Sequence, residues 1–156
     1  MHTSIRLGHI STGSAKDWNR VSCPEERLMR DMDELFAAFG RSKFRSRFRL
    51  PGEEAAYLRQ KGLTTILEHG RGFVTRRLAG ANPTNDGRQT PMKNQPAFIA
   101  QHATGTCCRK CLEKWHGIPK GKSLTKKQAD RLHCRSYHTV AHQLIADLQD
   151  SCNFKI

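Results

Sequence analysis

The residue types best suited to chemistry lie in one stretch, QHATGTCCRKCLEKWHGIPKG, which runs from Gln101 to Gly121. Cys108 and Cys111 form a C-x2-C pair, the spacing at which two thiolates can hold one tetrahedral metal ion. Two thiolates do not complete such a site, so further ligands are needed. His116 lies five residues past Cys111 and His102 can approach from the preceding loop. We therefore predict a structural zinc-type site formed by His102, Cys108, Cys111 and His116.

Two other interpretations of the same stretch remain open. If it is helical, Cys108, Cys111, Leu112 and Trp115 share one face and pack in an ordinary core, where cysteine behaves as a small hydrophobe. Alternatively, Cys107 or Cys108 beside basic side chains could be a reactive thiolate of low pKa. Later in the chain Cys134, His138 and His142 recur every four residues. On a helix Cys134 can face inward, whereas His142 is most simply a surface residue.

The chain carries a strong positive charge. Its 156 residues include 27 Lys and Arg against 14 Asp and Glu, a formal net charge of +13 and a pI near 10.0. Such an imbalance is typical of proteins that bind polyanions, and DNA or RNA is the commonest partner of this kind. The sharpest run is RSKFRSRFRLP, residues 41–51. Whether this run is a strand or a helix, its aromatic side chains can dock on the core and leave the cations in water. The predicted nucleic-acid-binding residues are Lys43, Arg45, Arg47, Arg49, Arg109, Lys110, Lys120 and Lys122.

The compartment is predicted from what the sequence lacks. It shows no apolar run long enough for a membrane span and no apolar stretch of a signal peptide at the N-terminus. We therefore expect no membrane association and a cytoplasmic location, where cysteines are thiols or metal ligands rather than disulfides.

The remaining patterns predict a mainly α-helical fold: one small domain of about four to five helices, with a long loop before the Cys/His cluster and room for one short strand or hairpin. We expect a flexible arm over residues 1–20, the globular domain over 21–150 and a tail over 151–156. A capping box at Ser22 and Pro51-Gly52 indicate helix starts, and Gly70 and Gly72 predict a bent or broken third helix. Residues 79–97 form the loop, and a strong apolar period from about Thr125 to Asp150 indicates the last helix.

The string from Asn85 to Gly121 resembles an uncharacterised family of small bacterial proteins that is known only as a domain of unknown function. NDG-x-QTPM and FIAQHAT-x-TCCR-x-CLEKWHGIPKG carry the resemblance, and KFRSRFRL and KGL-x-TI-x-x-H extend it over roughly residues 40–130. The resemblance implies no particular activity, cofactor or fold. Because the last helix departs from the family pattern, it implies that His138 and His142 are poor candidates for a family site.

These observations together predict a small basic protein that binds nucleic acid and contains a structural zinc-type cluster. The first alternative is a metal-dependent enzyme that processes nucleic acid, such as a nuclease or a base-processing enzyme, with His102 activating water and Arg109 holding the phosphate. A scarcity of carboxylates beside the cluster counts against a two-metal site. The second alternative is an interaction protein that binds an acidic protein partner.

Overall fold

The fold is built from helices alone in the part of the chain that the computed structural model describes, residues 32–136 and 139–140. This confirms the prediction of a mainly α-helical single small domain, and the short strand or hairpin does not form within those ranges. The predicted arm, the capping box at Ser22 and the tail lie outside the described residues. The helices are α1 (Met32–Arg41), α2 (Gly52–Lys61), α3 (Leu63–Arg77), α4 (Pro96–Ala103), α5 (Arg109–His116) and α6 (residues 126–136, with 139–140 also helical).

Helix α3 connects the two halves of the core. Near its start, Ile66 belongs to one buried cluster with residues of α2 and α4. Near its end, Val74 and the following Leu78 belong to a second cluster with residues of α5 and α6. Each cluster removes apolar surface from water, which is the main favourable contribution to folding. The members are Leu58, Ile66, Ala97, Ala100 and Val140 in the first cluster, and Val74, Leu78, Leu112, Ile118 and Leu132 in the second.

The third helix is not broken at Gly70 or Gly72, because α3 is continuous over 15 residues. Gly70 is buried where α3 packs against α4, and a Cβ at this position would lie 3.7 Å from the Cβ of Ala97. Tertiary packing of this kind commonly outweighs the weak helix propensity of glycine. The chain does change direction at Gly62 between α2 and α3, where φ is 81°, a value that favours glycine.

The loop between α3 and α4 is ordered by hydrogen bonds to the elements around it. Its Asn85-Asp86-Gly87 turn is closed by Arg88, whose N–H donates to the Asn85 carbonyl at 2.9 Å. Asp86 Oδ1 accepts from the backbone N–H of Arg109 at the start of α5. Thr90 Oγ1 donates to the carbonyl of Cys107 at 2.8 Å. These two hydrogen bonds connect the loop to the cysteine-rich stretch, residues 107–111, which follows α4.

No helix among residues 32–136 and 139–140 combines the length and apolar character that a bilayer crossing requires.

Candidate metal centre and basic surface

Three cysteine sulfurs converge at the start of α5. The Sγ atoms of Cys107, Cys108 and Cys111 all lie within 4.8 Å of one another. Cys108 is the N-cap of α5, and its Sγ accepts a hydrogen bond from the backbone N–H of Cys111 at 3.4 Å. The C-x2-C spacing folds this way because an N-cap side chain faces the first turn of its helix. The arrangement could hold a metal ion.

The spacing of the sulfurs suits a tetrahedral ion. Zn–S bonds of about 2.3 Å at the tetrahedral angle place neighbouring sulfurs about 3.8 Å apart. Three sulfurs that already lie within 4.8 Å of one another need only small movements to occupy three vertices. Cys107 and Cys108 are buried and Cys111 is half-buried, so the group is largely shielded from water.

Arg45 reaches this group from the segment that follows α1. Its Nη2 donates to Cys111 Sγ at 3.0 Å, and its Nη1 donates to the carbonyl of His102. Hydrogen bonds from the Cys107 and Cys108 side chains, together with the positive charge of Arg45, lower the pKa of the Cys111 thiol against the effect of burial. The same sulfur contacts and burial raise the pKa of Cys107. These effects favour the thiolate form at Cys111 and the thiol form at Cys107.

His102 lies beside the cysteines on α4, although its ring nitrogens are outside the group of atoms within 4.8 Å. Its Nε2 is 3.1 Å from the carbonyl oxygens of both Thr90 and Pro91. Because both are acceptors, Nε2 carries the proton and Nδ1 has a lone pair. That Nδ1 is buried and has no hydrogen-bond partner among the described residues. Burial lowers the pKa of His102, which favours the neutral ring.

The ring of His102 is held in place on one side by Phe48. The two rings are stacked, with centroids 5.4 Å apart and an interplanar angle of 11°. The carbonyl contacts of Nε2 and this stacking together fix the orientation of the imidazole. Metal-binding histidines commonly show this arrangement, in which the second ring nitrogen donates to a backbone carbonyl.

His116 has a different environment, with a partner at each ring nitrogen. Its Nε2 donates to the carbonyl of Thr104 at 2.8 Å, and its Nδ1 accepts from Arg135 Nη1 at 2.7 Å. An arginine side chain has no acceptor, so the direction of the second bond is fixed. The structure therefore does not bring His116 to the sulfurs with a lone pair available. The group of three sulfurs contains Cys107, which was not among the predicted ligands, and does not contain His116, which was.

Acidification should destabilise the protein through His116. Burial, and after it the charge of Arg135, lowers the pKa of His116 from 6.5 to about 4. Between these values the unfolded chain binds more protons, so this contribution to stability is complete above about pH 6.5 and is lost as the pH falls toward 4. The loss is on the order of 3 kcal/mol. Denaturant unfolding between about pH 7 and about pH 4 measures it.

The matched variant for this experiment is His116→Gln, which keeps a donor and an acceptor but does not titrate. Its free energy of unfolding should be lower at neutral pH and fall less steeply with acid. A slope equal to that of the wild type would contradict the assignment. The free energy of unfolding of the variant should still fall somewhat with acid, because burial also lowers the pKa of His102 and His133.

The eight predicted nucleic-acid-binding cations divide into two groups. Arg45 and Arg109 are buried, with 6% and 1% of their surfaces exposed, and both are engaged inside the protein. The other six are exposed: Lys43, Arg47, Arg49, Lys110, Lys120 and Lys122.

The segment Lys43–Arg49, which we call the basic segment, departs from both predicted conformations. Residues 43–47 form turns rather than a strand or a helix. As a result Arg45 points inward, whereas Phe44, predicted to dock on the core, is 41% exposed. Arg47 lies over the Phe44 ring at 4.5 Å. The expectation that the aromatic side chains face in and the cations face out is therefore wrong for Phe44 and Arg45.

Arg109 is buried, and its side chain binds the backbone of two other parts of the chain. Its guanidinium donates four hydrogen bonds of 2.7 to 3.0 Å to backbone carbonyls that come from two separate segments. Two of the acceptors follow α3 and two belong to the HGIPKGKSLT turn, residues 116–125, so the side chain joins these segments. The acceptors are the carbonyls of Leu78, Gly80, Pro119 and Lys122. The predicted phosphate contact by Arg109 does not fit this buried position.

The HGIPKGKSLT turn has a sequence that fits either a phosphate-gripping hairpin or a plain connector. Its Gly117 and Gly121 have φ of 65° and 79°. Two of its carbonyls bind Arg109, and the N–H of Lys120 donates to Glu113 Oε1 at 3.3 Å. These contacts favour the connector, in which glycine supplies the left-handed backbone.

Among the described residues, Cys134 does not join the cluster. Cys134 is buried on α6 and is disulfide-bonded, so the expectation of thiols or metal ligands throughout is wrong at this position. His138 and His142 lie outside the described residues. Sequence reasoning missed Cys107 as a member of the group, although its adjacency to Cys108 was a signal. It also missed Arg45 as a donor to sulfur, for which the sequence contains no signal.

The chain belongs to the family described as Domain of unknown function (DUF4186), whose model matches residues 33–137. This confirms the resemblance to a family of unknown function. No solved structure matches the chain.

Proposed function

We propose that this domain binds nucleic acid through an exposed basic surface and holds a structural zinc ion with Cys107, Cys108 and Cys111. The convergence of three sulfurs beside an exposed run of cations is the observation that carries the proposal. The ion would fasten the start of α5 to the loop and to the basic segment. Its role would be structural, since the three cysteines are buried or half-buried.

The chemistry of the sulfurs supports a cation. Three adjacent thiolates repel one another, and a divalent ion offsets that repulsion and releases the thiol protons. Hydrogen bonds to the sulfurs from Arg45 and from the Cys111 backbone resemble the outer contacts that orient metal-binding thiolates. Thiolate ligands select zinc over the hard cations magnesium and calcium.

We assign the fourth position to Nδ1 of His102. Its lone pair is buried without a partner among the described residues, and its Nε2–H is fixed by two carbonyls. His116, the other histidine predicted as a ligand, has both ring nitrogens engaged. The proposed set is therefore Cys107, Cys108, Cys111 and His102.

The nucleic-acid surface is proposed around the basic segment. Arg45 lies between two aromatic rings, 5.5 Å from the centroid of Phe44 and 5.3 Å from that of Trp115. Arg47 covers Phe44 and Lys114 lies 5.4 Å over Trp115, so cations and aromatic faces alternate. Surfaces of this composition bind single strands, because bases stack on the aromatic rings while cations contact the phosphates.

Phe44→Ala should weaken binding of a single-stranded oligonucleotide about 5-fold to about 100-fold, because one base–aromatic stack contributes about 1–3 kcal/mol. Fluorescence anisotropy over a series of salt concentrations measures the affinity, and Arg47→Gln should reduce the salt slope by about one. Arg59→Gln, an exposed change on α2, is the control and should have a much smaller effect.

The absence of binding to single strands and duplexes at low salt would contradict the nucleic-acid proposal. It would favour the alternative of an acidic protein partner. The nuclease alternative is not proposed, because its two assigned residues, His102 and Arg109, are buried and engaged inside the fold.

Three free thiols fit a reducing compartment such as the cytoplasm, whereas the disulfide at Cys134 does not, so the location remains a prediction.

A further inference from the structure

A cleft lined by arginines opens on a part of the molecule that the proposed function does not use. It lies between the last turn of α3 and the loop that follows, and its volume is about 540 Å³. Arg76 and Arg77 approach from the helix and Arg88 from the loop. We propose that this cleft binds a phosphate group carried by a nucleotide, either free or at the end of a nucleic-acid strand.

The charge of the cleft is the first argument. Three guanidinium groups line it, and no carboxylate does so among the described residues. Asp86, the acidic residue of the same loop, is engaged elsewhere: its Oδ1 accepts from Gln89 Nε2 and from the backbone N–H of Arg109. Three like charges in one concave site repel one another, and an anion offsets the repulsion.

The three arginines differ in how they are held: Arg77 is fixed, Arg76 lies 5.7 Å over the Phe73 ring, and Arg88 is exposed. Arg77 is half-buried, donates to the Gln89 carbonyl at 3.0 Å and lies 5.1 Å from the ring centroids of both Phe73 and Phe98. It therefore forms a fixed wall of the cleft. Arg76 and Arg88 are exposed. Their planar guanidinium groups can each bind two phosphate oxygens, a geometry that lysine does not offer.

The backbone around the cleft is fixed before any ligand arrives. Asn85 and Gly87 have φ of 57° and 96°, and the N–H of Gly87 donates to Gln89 Oε1 at 2.7 Å. On the helix side, Gly72 leaves room for Arg76, because a Cβ there would lie 3.0 Å from Arg76 Nη1. A preformed site loses less entropy on binding than one that must be ordered.

Size and lining favour a nucleotide over a bare ion. A volume of about 540 Å³ is within the range of about 300–1,000 Å³ that is usual for small-molecule sites. The remaining lining supplies amide donors and acceptors from Asn82 and Asn85, which suit a sugar or base. This proposal stands independently of the basic surface, which is formed by other residues.

Isothermal titration of the full chain with AMP, adenosine and pyrophosphate tests the proposal. We expect binding of AMP and pyrophosphate and at least about tenfold weaker binding of adenosine, since charge-assisted hydrogen bonds to phosphate are lost. Arg88→Gln, alone and with Arg76→Gln, should weaken AMP binding at least about tenfold, while Arg59→Gln should not. Thermal unfolding of each variant confirms that it is folded.

A second experiment distinguishes a free nucleotide from the phosphorylated end of a nucleic-acid strand. Oligonucleotides of one sequence with a 5′-phosphate or a 5′-hydroxyl are compared, and a preference for the phosphorylated strand that Arg88→Gln abolishes indicates a strand end. Binding of AMP without that preference indicates a free nucleotide, and either result supports the cleft. Failure of AMP, pyrophosphate and the 5′-phosphate to bind, or equal binding by the double variant, would overturn it. Affinity for the 5′-hydroxyl strand reports on the basic surface separately.

Discussion

Arg109→Met should lower the free energy of unfolding by more than about 4 kcal/mol. The guanidinium makes four hydrogen bonds to buried or partly buried backbone carbonyls, and methionine would leave all four without this donor. Each bond to a charged group contributes about 1.5–3 kcal/mol, and an unsatisfied buried acceptor costs about 1–3 kcal/mol. A domain of ordinary stability, about 5–15 kcal/mol, has little margin for such a loss.

Lys110→Met is the matched control for this prediction. Lys110 follows Arg109 on α5 but is exposed, so the same loss of a cation should change the free energy of unfolding by less than about 0.5 kcal/mol. Chemical denaturation followed by circular dichroism compares the two variants. If Arg109→Met unfolds at the same denaturant concentration as Lys110→Met, the carbonyl contacts do not hold the α3 end and the HGIPKGKSLT turn together.

Cys108→Ser should reduce zinc affinity by more than about a hundredfold. Cys108 is both a proposed ligand and the N-cap of α5, and a serine hydroxyl is a poor ligand for zinc although a good cap. Loss of an outer-shell partner alone commonly costs about 10–100-fold in metal affinity, so loss of a ligand should exceed that. Competition with a chromophoric chelator measures the affinity.

Two histidine variants serve as controls for the ligand set. His116→Gln should retain the metal, because neither of its ring nitrogens is available to the sulfurs. His102→Ala should weaken it, because Nδ1 of His102 is the proposed fourth ligand. The reverse outcome, with metal lost in His116→Gln and unchanged in His102→Ala, would contradict the assignment. Equal affinity in Cys108→Ser and the wild type would contradict the site itself.

The helices were the part of the fold that sequence patterns predicted best. The glycine at position 62 separates α2 from α3 as its type suggests, and the proline and turn residues of the long loop end α3 near its predicted boundary. Continuity of α3 could not be predicted from Gly70, because the stabilising contact is with Ala97 in another helix. Local propensity is a weak guide wherever packing decides.

The basic segment shows why charge patterns alone misplace side chains. Either a strand or a helix would place the aromatic side chains of this segment on the core side. The turns over residues 43–47 instead expose Phe44 and bury Arg45. Arg45 is stable there because a sulfur and the carbonyl of His102 accept its hydrogen bonds. Such partners are distant in sequence, and nothing in the run of cations indicates them.

The candidate site was predicted in part for a similar reason. The C-x2-C spacing correctly brought Cys108 and Cys111 together, since it is a local feature of a helix start. His116 has a suitable sequence distance, but its Nδ1 is engaged by Arg135, 19 residues further along the chain. Cys107 joins the group because the loop holds its backbone through Thr90. Spacing rules describe local geometry and do not include these tertiary contacts.

Metal analysis of protein purified without a histidine tag tests the central claim most directly. Inductively coupled plasma mass spectrometry on the native full chain should find one zinc ion per chain, and a Cys107→Ser, Cys108→Ser, Cys111→Ser triple variant should contain none. Zinc-free wild-type protein that still folds and does not take up added zinc would contradict the account of three sulfurs gathered to hold a metal.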